Sequence, residues 1–143
     1  MRYVVAVVVG LMATNAGAQT RQDKADTAFG IDHAVKAPMA YVMCSAYYSA
    51  LASYHVANRS GPPLAQDAKI QAEKFKVFVG AAHAYMKDRA RGEAMKQMAD
   101  ELAAAAVERI TVPGEMDKMT AKMSASCATI GEIVDAGMRA GGL

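Results

Sequence analysis

APMAYVMCSAYYSALASYHVAN, residues 37–58, runs for 22 positions without a charged side chain and opens with an alanine before a proline. Pro38 has no N–H to offer and disfavours helical geometry in the residue preceding it, so it starts a helix rather than interrupting one. At about 100° per residue, Tyr41, Cys44, Tyr48, Leu51 and His55 share one side. Ser45, Ala46, Ser49, Ala50, Ala52 and Ser53 cover much of the other. The stretch is long enough to cross a bilayer, yet four tyrosines, three serines and a histidine stand against a single leucine. A helix with no polar face is normally an enclosed one. The expectation is a helix packed on both sides, with its small residues letting a neighbour come close.

The rest of the chain supplies the neighbours. Arg59-Ser60-Gly61-Pro62-Pro63 reads as a turn, and a second helix is expected from about Leu64 to Arg89. Gly92 marks a break before a third helix from Glu93 to Ile110, and Pro113-Gly114 turns the chain again. A last helix is expected from Glu115 to Met138, its first turn carrying Glu115 and Asp117 as the helix dipole favours. Met116, Met119, Met123, Cys127, Ile130, Val134 and Met138 recur at three- and four-residue steps, as do Met95, Met98, Ala99, Leu102, Ala106 and Ile110. Phe75, Phe78, Val79, Ala82, Tyr85 and Met86 form the stripe of the second helix. Four apolar helices joined by short turns make an all-α, antiparallel four-helix bundle over residues 37–140. The second helix is too long for its neighbours, so a bend near Gly80 or an overhanging end is expected. Residues 19–36 read as a polar tail or short helix weakened by Gly30.

The two cysteines tie this arrangement together. With the first main helix centred near residue 47 and the last near 127, antiparallel neighbours have numbers summing to about 175. Cys44 and Cys127 come within a helical turn of that level, so an interhelical disulfide is expected between them. The N-terminus agrees with an oxidising destination. Arg2, an apolar run from Tyr3 to Met12 and the small residues Ala16-Gly17-Ala18 have the three parts of a cleaved signal peptide over residues 1–18. The expected location is therefore periplasmic or secreted. Asn58-Arg59-Ser60 is a glycosylation sequon, relevant only in a eukaryotic secretory route.

Composition narrows the function. Without Arg2 the chain has 15 basic and 14 acidic residues, a balance that does not suit nucleic-acid binding, which needs a basic surplus. Lys87, Arg89 and Arg91 read as cations at a helix C-terminus. There is no Cys-x-x-Cys pair, no Cys-x-x-Cys-His haem attachment and no Gly-x-Ser-x-Gly nucleophile elbow. His33, His55 and His83 fall on different segments, and the last helix has no histidine to complete the Met–His pair of haem-binding bundles. The leading expectation is a non-enzymatic binder of a protein partner or an apolar ligand, without a cofactor. Its surface would include Tyr47, Tyr48, Tyr54 and His55, with Tyr47 and Tyr54 partly exposed beside an apolar groove. The alternative is copper, held by the thioethers of Met95, Met98, Met116 and Met119.

Overall fold

The computed structural model describes residues 21–139, and the signal peptide and cleavage site read from residues 1–18 lie outside them. The described chain is all helical: α1 over 21–36, α2 Pro38–Ala57, α3 Pro62–Tyr85, α4 Arg89–Arg109 and α5 Glu115–Arg139. Five helices replace the expected four. Residues 21–36 take the helical form of the two readings given to this stretch, and Ile31 and Ala34 belong to the buried core. Gly30, expected to weaken this helix, instead admits Phe78, whose ring tip would stand 3.0 Å from any added Cβ. Pro38 does divide α1 from α2, leaving Ala37 outside helical geometry at φ −127°, ψ 55°.

α2 is the central element and packs on α3, α4 and α5. Its small residues set the spacing. Ala46, Ala50 and Ala52 are buried, and the buried Ser45 hydroxyl donates to the Ala72 carbonyl of α3 at 2.8 Å. The aromatic side of the core is built on Tyr41, which meets Phe75 and Phe78 at ring distances of 6.2 and 5.7 Å. Tyr48 stacks on Phe75 from one turn further along α2 than Cys44. α1 closes this end of the molecule: Thr27 donates to the Gly137 carbonyl of α5, and Tyr41 shares a 2.8 Å hydrogen bond with His33.

α3 ends earlier than the periodicity suggests. Met86 caps it, and Lys87 takes a left-handed φ of 62°. Asp88 then caps α4 by accepting the Arg91 N–H at 3.2 Å. Gly92 therefore lies inside the first turns of α4, not at a break. α3 runs through Gly80 as continuous helix, and a Cβ on Gly92 would sit 2.6 Å from the Gly80 carbonyl oxygen. The two glycines mark a close approach of helix backbones. Arg89 and Arg91 stand at the N-terminus of α4, so the helix-dipole explanation given by the sequence does not apply to them.

Cys44 and Cys127 form a disulfide between α2 and α5, with Cα atoms 5.5 Å apart. Among the described residues no helix is long and apolar enough to cross a membrane.

Candidate functional site

α4 and α5 are both held against α2 but make scarcely any contact with each other. α4 buries only Gly92 and Ala99 fully. The space left between the two helices is a groove of about 300 Å³. Met43, Ala46 and Tyr47 of α2 form its floor, Leu102, Ala105 and Ala106 of α4 one wall, and Met119 and Met123 of α5 the other. It exists for a simple reason. The run Leu102-Ala103-Ala104-Ala105-Ala106 offers little bulk toward α5, while the Cys44–Cys127 bond holds α5 to α2. The aromatic core cannot fill the gap, because it lies on the α1–α3 side of α2.

The rim is cationic. Arg109 Nε and Lys118 Nζ both bind Glu115, at 2.8 and 3.1 Å, closing the groove at the α4–α5 turn. The Arg109 hydrogen bond, followed by that from Lys118, holds the Glu115 carboxyl below its ordinary range. Lys122 lines the opposite part of the groove, and among the described residues it has no carboxylate within ion-pair distance.

The residues singled out from the sequence are distributed unevenly around this groove. Tyr47 lines it but is 4% exposed, against the expectation of partial exposure. α4 covers the flank of α2 that the helical projection left beside the core line. Tyr48 is half-buried against Phe75 and faces the aromatic core. Tyr54 is half-buried in a separate hollow beside Ile110 and Met116. His55 borders a third hollow with Arg59 and Gln66, and its Nδ1 is buried without a hydrogen-bond partner.

The four methionines of the copper alternative are not gathered. Arg109 facing Glu115 fixes the register of α4 against α5, placing Met116 and Met119 level with the last two turns of α4. Met98 lies about two turns earlier, ~10 Å away along the helix, and Met95 is one turn further still. Met116 is buried in the core, whereas Met119 faces the groove. Among the described residues no group of three or more His, Cys, Asp or Glu side chains could hold a metal ion.

Met43, Leu102, Ala105, Ala106, Met123 and Lys122 line the groove without having been singled out as site residues. Leu102, Ala106, Met119 and Met123 were visible as helical stripes, which imply that the two helices face each other. The signal that separates them was the run of alanines, too small to close the interface. Comparison of the chain with family models, curated proteins and solved structures finds no match.

Proposed function

We propose that this chain is an exported, non-enzymatic binding protein that takes an apolar ligand into the groove between α4 and α5. The observation that carries this reading is the groove itself: an apolar floor and walls, flanked by helices that leave it open. Its volume falls at the lower end of the ~300–1,000 Å³ common for small-molecule sites. Met43, Met119 and Met123 supply flexible, polarisable side chains able to fit ligands of differing shape. Binding follows from removal of apolar surface from water, at about 25 cal/mol per Å² before the cost of ordering the ligand. Export rests on the signal-peptide pattern and accords with the disulfide.

Uptake of the neutral dye N-phenyl-1-naphthylamine tests the reading. The wild-type protein should enhance its fluorescence saturably. Ala105 is exposed on the groove wall, so Ala105→Trp can occupy the groove without crowding the core. That variant should keep the wild-type melting temperature and lose dye binding. Saturable uptake that persists in Ala105→Trp would place the ligand elsewhere, and absence of uptake by the wild type would overturn the proposal.

A further inference from the structure

We infer that the ligand of this groove is a single-chain alkyl carboxylate of medium length, with its head group against Lys122. The inference rests on the proposed reading of the groove as an apolar site and adds the class of ligand.

Dimensions select the tail. The wall from Leu102 to Arg109 covers two helical turns, ~10 Å. A groove of that length and about 300 Å³ is at the small end of ligand sites and suits a narrow apolar chain. One alkyl chain fits.

Charge selects the head. Arg109, Lys118 and Lys122 surround the groove with only Glu115 among them, so the rim carries a surplus of two positive charges. Glu115 already engages Arg109 and Lys118 at the turn end. Lys122 is left to meet an anion at the other end, beside Leu102. The chain then lies along Ala105, Ala106 and Tyr47 toward the turn. An anionic head such as a carboxylate gains from this charge, a neutral one gains nothing from it, and a cationic one is repelled.

Isothermal titration with hexanoate, octanoate, decanoate and methyl decanoate, alongside the neutral dye, tests the inference. Affinity should rise about three- to fourfold per added methylene and level off once the chain exceeds the groove. The methyl ester should bind about two- to fivefold more weakly than decanoate. Lys122→Gln should lower decanoate affinity more than ester or dye affinity, and so abolish the preference for decanoate over its ester. Phosphatidylglycerol vesicles should retain no protein. Equal binding of ester and carboxylate, or a decanoate affinity indifferent to Lys122→Gln, would overturn the inference. Continued dye uptake would then leave the groove reading standing, whereas loss of every ligand would remove both. Retention by the vesicles would replace the single-chain ligand with a membrane surface.

Discussion

The Tyr41 ring is enclosed by Phe75, Phe78 and the His33 imidazole, with no solvent exposure. Burial pushes the pKa of its phenol up from 10.0 to about 12. The folded state thus keeps this proton after the unfolded chain has lost it. The stability tied to Tyr41 is fully present below pH 10 and falls as pH rises toward 12, by on the order of 2–3 kcal/mol. Urea unfolding between pH 9 and 12 should show that loss in the wild type and a smaller one in Tyr41→Phe. Tyr47 makes a second residue-scale case. Buried on the groove floor, it should cost about 3–5 kcal/mol on truncation to alanine, and Tyr54→Ala, half-buried, distinctly less. Denaturant melts of the two variants measure the difference. The sequence showed that Tyr47 stands off the Cys44–Leu51 line, but a projection of one helix contains no information about which neighbour covers that flank.

At the scale of elements, helix identity was legible because the 3.6-residue stripes are long and Pro38, Pro62 and Pro113-Gly114 punctuate them. Glycine was less legible. Gly30 and Gly92 look like weak points in a linear reading, since glycine disfavours helix by ~1 kcal/mol relative to alanine. In the fold they are contacts. A Cβ on Gly92 meets a backbone carbonyl that cannot rotate away, whereas one on Gly131 would meet Phe75 at an ordinary 3.6 Å. Gly92→Ala should therefore destabilise the protein by about 1–3 kcal/mol despite its higher helix propensity. Gly131→Ala should be neutral or stabilising. Thermal unfolding of the pair separates backbone approach from propensity, and equal gains in both would contradict the α3–α4 geometry. The early end of α3 belongs to the same lesson: the apolar period continues past Tyr85, but Lys87 and the Asp88 cap decide the boundary.

For the whole molecule, α2 organises the packing, and the disulfide decides where α5 stands. The bond joins positions 83 apart in sequence, so chain entropy alone assigns it about 4.5 kcal/mol as an upper value. The double variant Cys44→Ser, Cys127→Ser should lose a substantial part of the folding free energy while retaining helical circular dichroism. It should also bind the dye more weakly than its residual stability explains, because one groove wall has lost its anchor. Antiparallel spacing made the cysteine pairing legible. The groove was not, because it depends on what fails to touch: two striped helices held on a common neighbour, with alanines where larger side chains would have closed the gap.

The methionine methyl groups offer the most direct test of the groove as binding site. In a ¹³C-methyl-methionine spectrum titrated with N-phenyl-1-naphthylamine, Met43, Met119 and Met123 should shift together along one saturation curve. Met95 and Met98, on the first half of α4, and Met86, at the hollow between α1 and α3, should stay in place. Shifts centred on Met86 or on the Met95–Met98 pair, with Met119 and Met123 unmoved, would contradict the account.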